Sequence, residues 1–196
     1  MVANQHAAIA LAGSKGGRSF SVAAYGRLVV TLARLQRGAR LGLVGALGLA
    51  LASTPAFAAS NKVRVTNLSD LNFGLIANLS TDAIRAESVC LFAATDTNGY
   101  NITASGTGPA GDFELASGST SLSYEVEWSS SAGQLSGAQL QPNVPLTGQV
   151  SVAGQQTCNN GPATSASLVI ILRSAALSSA TAGTYNGILT LVVGPE

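Results

Sequence analysis

Histidine is almost missing from this chain: His6 is the one imidazole in 196 residues. With none beyond it, the rest of the chain can build neither a Ser-His-Asp triad nor a histidine-based metal site, which excludes most hydrolase mechanisms. Charge is scarce too, at 10% of residues, and aromatic side chains make up 5%. Cysteine is limited to Cys90 and Cys158, too far apart for the Cys-x-x-Cys of a catalytic dithiol. No apolar run approaches the roughly 20 residues that a bilayer-spanning helix needs; the longest candidate is Leu41 to Leu51.

That run has a context. The first 58 residues hold Lys15, Arg18, Arg27, Arg34, Arg37 and Arg40 and no acid, and the apolar stretch leads into Ser53-Thr54-Pro55-Ala56-Phe57-Ala58. A positive region, a short apolar core and a small-x-small site together predict a secretory signal over 1–58, cleaved after Ala58. Its positive region is long for such a signal, which raises the alternative of translation starting downstream, near Val29 or Val30. Twin arginines are absent, so export unfolded by the general secretory route is expected.

Residues 59–196 amount to one domain. They carry four basic residues (Lys62, Arg64, Arg85, Arg173) against nine acidic ones, a net charge of −5. Such a surface does not suggest nucleic acid or anionic lipid as partner, and nothing in it implies a cofactor or membrane insertion of the mature chain. A lone cysteine pair in an exported domain predicts a Cys90–Cys158 disulfide, stabilising by roughly 4 kcal/mol in the chain-entropy picture.

The pattern along this domain is that of strands and turns. In Leu122 to Trp128, Leu122, Tyr124, Val126 and Trp128 alternate with Ser123, Glu125 and Glu127, which predicts one half-buried antiparallel strand with Tyr124 and Trp128 in the core. Shorter candidates are Lys62 to Thr66, Asn72 to Ile76, Ser88 to Ala93, Tyr100 to Ser105, Asp112 to Ala116, Gln149 to Val152, Ser167 to Arg173 and Gly187 to Val193. Gly- and Asn-rich turns separate them, and this spacing predicts an all-β sandwich. Ser129 to Gly148 reads as a long connection between sheets, and Gly106 to Gly111 as a hairpin connection; Pro109 and the lack of a following Lys argue against a phosphate loop.

The remaining chemistry is thin. Asp112 with Glu114, and Glu125 with Glu127, pair carboxylates on strand faces, but the second pair lies on a solvated face, unsuited to acid–base work. Asp96, Asp112 and Glu114 lack the spacing of a calcium loop, and the Asn-x-Ser/Thr triplets are common by chance in such chains. No enzyme is expected. The most informative segment is the last: Ile188, Leu189, Thr190, Leu191, Val192 and Val193 are apolar enough for a central strand, yet no later strand follows to flank them. The domain is therefore expected to lack its final strand and to be completed by β-strand addition.

The segments Leu68-Ser69-Asp70-Leu71-Asn72-Phe73-Gly74, Val89-Cys90, Tyr100 to Gly106, Leu122-Ser123-Tyr124, and Ala182-Gly183-Thr184-Tyr185 through to Pro195-Glu196 resemble the spore coat U domain family, which includes subunits of archaic chaperone–usher pili. The resemblance implies an immunoglobulin-like β-sandwich lacking its final strand. It also implies a periplasmic chaperone that lends a strand, an outer-membrane usher, and neighbouring pilus subunits as partners. It carries the groove edge onto Ile188 to Val193 and places Phe73 in the core. The implied function is that of a subunit secreted through the periplasm to the cell surface, contributing to adhesion and biofilm formation. One departure stands: polymerising members carry a donor segment before the first domain strand, whereas here Ala59 to Asn61 alone precede Lys62. Either the subunit sits at a fibre tip, or the strand at Lys62 is itself the donor. The alternative class is a self-contained secreted domain of the same family with a binding role.

Overall fold

The structure is a computed structural model that describes residues 3–11 and 61–196; the expected signal core and cleavage site lie outside the described residues. In chain order the elements are β1 (Ala3–Leu11), β2 (Lys62–Thr66), β3 (Leu71–Gly74), β4 (Ala83–Ala94), β5 (Gly99–Ser105), β6 (Glu114–Ser117), β7 (Thr120–Ser123), β8 (Glu125–Ser129), β9 (Ala138–Gln139), β10 (Leu146–Val150), β11 (Ala166–Leu172), helix α1 (Ser174–Ser179) and β12 (Tyr185–Pro195). The fold is all-β, in two sheets. One runs β2-β4-β11-β8-β9; the other runs β10-β5-β12-β1-β3, with β6 beside β12 and β7 beside β6. Every strand pair among the described residues is antiparallel except β1 with β3.

Alternation builds the core. Val89 and Leu91 of β4, Val126 and Trp128 of β8, and Leu168, Ile170 and Leu172 of β11 join Tyr100, Ile102 and Ala104 of β5 and Leu189, Leu191 and Val193 of β12 in one buried cluster. Between the sheets the Trp128 indole donates to the Tyr100 hydroxyl at 2.9 Å. Burial pushes the Tyr100 hydroxyl up to about 12, so it stays neutral. Phe73, Tyr124 and Trp128, expected in the core, are all buried.

Two connectivity expectations are corrected. Leu122 to Trp128 is not one strand: β7 and β8 belong to different sheets, and the chain crosses at Tyr124, whose amide donates to the Phe113 carbonyl at 3.0 Å. Its alternation looks unbroken because both strands turn the same parity inward. Gly106 to Gly111 is not a hairpin either. Both β5 and β6 run antiparallel to β12 along one edge, Ser105 opposite Thr190 and Ala116 opposite Asn186, and the loop is an excursion between them. A Cβ on Gly106 would stand 2.2 Å from the Asp112 carbonyl oxygen, so the neck of that excursion requires glycine there. The connection after β8 does cross sheets, forming β9 on the way to β10.

All seven residues of β11 are buried, which needs cover on its outer face. Part of that cover is the connection after β8: the Ser167 hydroxyl donates to the Ser131 carbonyl and accepts from the Gln134 amide. On β4, the Cys90–Cys158 disulfide pins a second loop, with Ala153 and Phe92 packed around it. Beyond Val89, β4 loses β11 as neighbour, and serines replace the missing ladder. The Ser165 hydroxyl accepts from the Leu91 amide at 2.9 Å and donates to its carbonyl at 2.7 Å, and Ser151 donates to that same carbonyl.

Replacing Ser165 by Ala should strand the buried Leu91 amide, while Ser151 still serves the carbonyl, and lower the unfolding free energy of the full chain by about 1–3 kcal/mol in urea titration. A change within error would mean that other groups satisfy Leu91. Thiol labelling of the denatured, unreduced chain should find no free cysteine. Joint substitution of Cys90 and Cys158 by Ser should cost about 4 kcal/mol, given the separation of 68 residues.

Candidate functional site

β12 ends the chain but lies inside its sheet. On one edge it pairs with β5 and β6; on the other, Tyr185 to Val193 pair with Leu11 to Ala3 of β1. β1 in turn pairs in parallel with β3, Ile9 opposite Leu71 and Leu11 opposite Gly74. β12 and β3 make no ladder with each other. Adjacent strands stand about 4.8 Å apart, so β12 and β3 lie about 9.6 Å apart, axis to axis, which leaves room for a single strand between them. The site is that slot, with the main-chain groups of two strands turned into it.

Of the residues expected to form the receiving edge, Leu189, Leu191 and Val193 are buried and face the core with Tyr185. Ile188 is 48% exposed, with Thr190 and Val192 half-buried on the same outer face. Alternation sends Ile188 outward while Leu189, Leu191 and Val193 fill the core. By register, Ala3, Gln5, Ala7 and Leu11 stand opposite Val193, Leu191, Leu189 and Tyr185. The strand that fills the slot, Ala3–Leu11, carries no clear strand signal in the sequence. Its alternation is blurred by alanines at both parities, and it lies within the segment read as a leader. Lys62 to Thr66 lies elsewhere, paired along its full length with Ala94 to Cys90 of β4.

The short wall, β3, is held from behind by β4. The Arg85 guanidinium lies 5.9 Å from the Phe73 ring centroid and donates to the Asn72 carbonyl. Two residues on, the Glu87 carboxylate accepts from both the amide and the hydroxyl of Ser69, fixing the crossing from β2 to β3. Its other oxygen is buried without a partner. Burial, and then the neighbouring Asp70, pushes the Glu87 carboxyl above its ordinary value, against the opposing Ser69 hydrogen bonds.

Three other carboxylates have structural uses. Glu125 and Asp82 grip Arg173, and Asp82 accepts from the Ser174 amide at the start of α1, a bond that holds its carboxyl below the usual range. Glu127 accepts from the Gly137 amide. Among the described residues no group of three or more His, Cys, Asp or Glu could hold a metal, and no helix is long and apolar enough to cross a membrane. A shallow depression lined by Leu79, Ser80, Ser174, Ala175 and Ser178 contains no titratable side chain. No known protein family, curated protein or solved structure matches the chain.

Glu87 sets a sign for pH dependence. A carboxyl raised in the folded state favours the protonated fold, so its contribution grows as pH falls through the folded value and levels off below the ordinary 4.5. The stability of the natural chain relative to Glu87→Gln should therefore rise between pH 7 and pH 4.5. Parallel curves in chemical denaturation would show that this carboxyl does not titrate with folding.

Proposed function

We propose that residues 59–196 are a strand-accepting, immunoglobulin-like sandwich that serves as a structural subunit of a chaperone–usher surface pilus. The observation that carries this reading is that the slot between β12 and β3 is filled by a strand separated from the first domain strand by fifty residues. If the expected leader is removed after Ala58, that strand leaves with it. The slot must then be filled from outside, first by a periplasmic chaperone and then by the extension of a neighbouring subunit. With Lys62 to Thr66 paired to β4, no spare strand precedes the domain after cleavage, so the subunit accepts without donating and belongs at a fibre end. At the cell surface such a tip contributes to adhesion and biofilm formation.

One observation favours a second reading. The filling strand belongs to this same chain, so a form that keeps its amino terminus closes its own slot and persists as a self-contained domain with a binding role.

The energetics make the first reading testable. Emptying the slot uncovers flanks of Leu71, Phe73, Leu189, Leu191 and Val193, each worth roughly 1.5–3 kcal/mol when fully buried, against a typical total stability of about 5–15 kcal/mol. Because β1 runs antiparallel to β12, its sequence can be appended after Glu196 through a short Asn/Gly turn to form a hairpin in the same register. The chain starting at Ala59 should aggregate or melt early, and the appended version should be monomeric with a melting temperature at least 10 °C higher. Equal, cooperative melting of the two would show that the domain is complete without a nine-residue insert, and the pilus reading would lose its basis.

A further inference from the structure

Asparagine followed by glycine is reactive without help. The carboxamide carbon lies one ring closure from the next backbone nitrogen, and glycine, with no Cβ, leaves that nitrogen open to approach. The chain holds three such pairs, Asn98–Gly99, Asn160–Gly161 and Asn186–Gly187. Closing the ring requires the peptide between the two residues to turn, so the fold decides which pair can react.

Two of the pairs are locked. The Asn98 carbonyl accepts from the Ser151 amide at 2.9 Å, and buried Gly99 pairs with Val150 while its carbonyl accepts from the Glu196 amide at 3.1 Å. Asn186 and Gly187 lie in β12 between β6 and β1, Asn186 opposite both Ala116 and Ala10, and Gly187 opposite Ile9. A Cβ on Gly187 would stand 2.8 Å from the Leu115 side chain, so the backbone there is crowded as well as paired.

The third pair lies in the loop that the disulfide fastens to β4. At one end of it Cys158 is bonded to Cys90; at the other, the Ala163 carbonyl accepts from the Asn67 carboxamide and the Ser165 amide donates to the Val89 carbonyl at 2.8 Å. Between these anchors Asn159, Asn160, Gly161 and Pro162 are exposed and outside any strand. Neither the Asn160 carboxamide nor the Gly161 amide has a hydrogen-bond partner among the described residues. At Gly161, with φ +68°, an added Cβ would meet nothing within 4 Å.

We propose that Asn160 is a self-modifying site, converted to aspartate and isoaspartate through a succinimide closed by the Gly161 nitrogen. That nitrogen gives its proton to water and attacks the Asn160 Cγ. The bond from Cγ to the side-chain nitrogen breaks, and the nitrogen takes up a proton and leaves as ammonia. A water molecule then opens the ring at either carbonyl. Water is the only co-reactant, and the product is one new carboxylate on the loop over β4, which accumulates with the age of the chain. The reaction needs neither a partner nor a particular occupant of the slot.

Full-length protein held folded at pH 8.5, then digested and read by peptide mass spectrometry, should show the mass gain of an amide-to-acid exchange at Asn160 at least tenfold faster than at Asn98 or Asn186. Unfolding the chain in guanidinium chloride should bring the three rates together. Gly161→Ala should slow the gain at least tenfold and Asn160→Gln should abolish it, with circular dichroism checking the fold of each variant. Equal rates at the three positions of the folded chain, or no gain at Asn160, would overturn the site. A rate untouched by Gly161→Ala would overturn it too, since the ring would then not be closed by that nitrogen.

Discussion

A strand buried inside a sheet needs a main-chain partner on each edge, and β12 obtains its two from opposite sources. One edge is served by β5 and β6, close by in the contiguous domain; the other is served by β1, from the far amino terminus. The rest of the molecule depends on that second edge. Leu189, Leu191 and Val193 stay dry, β3 has a sheet to belong to, and the seven-stranded layer closes over the five-stranded one when a strand lies in the slot. Nine registered positions on β12 are committed to it, and unpaired peptide groups beside an apolar core carry a free-energy penalty comparable with a lost hydrogen bond apiece.

The five-stranded layer is self-sufficient by contrast. Its central β11 is flanked by β4 and β8, a loop fastened through Ser167 covers part of β11, and the disulfide fastens a second loop to β4. Where the ladder runs out at Leu91, two serine hydroxyls take the place of a strand. The asymmetry is chemical: one layer completes its hydrogen bonding with side chains and loops close in space, and the other does so with a remote strand.

Much of the fold was legible because alternation is a local signal. Lys62 to Thr66 forms a strand with the expected bounds, and the inward parity of Tyr124 and Trp128 holds. What alternation does not carry is which sheet a strand joins. The same inward parity persists through Tyr124 while the chain changes layers, and β5 and β6 share an edge across a glycine-necked excursion that looks like a hairpin in one dimension. β4 extends to Ala83, further than expected, because Arg85 and Glu87 use their inward places to hold β3 instead of filling the core. Of the site, the wall at β12 was readable from its apolar run, but the occupant was not, since Ala3–Leu11 carries small residues on both parities and sits in a basic, acid-free stretch.

The antiparallel register of β1 on β12 also has a mechanical side. Hydrogen bonds in such a ladder lie across the strand axis. Tension applied along β1, toward the end at Leu11, loads the rungs from Ala3 to Leu11 together, as shear, and not one after another as in unzipping. The parallel contact with β3 lies along the same axis and shares that load. A junction built this way yields by sliding a whole strand at once, so its resistance to pulling grows with the number of rungs engaged, while a side-on peel would meet one rung at a time.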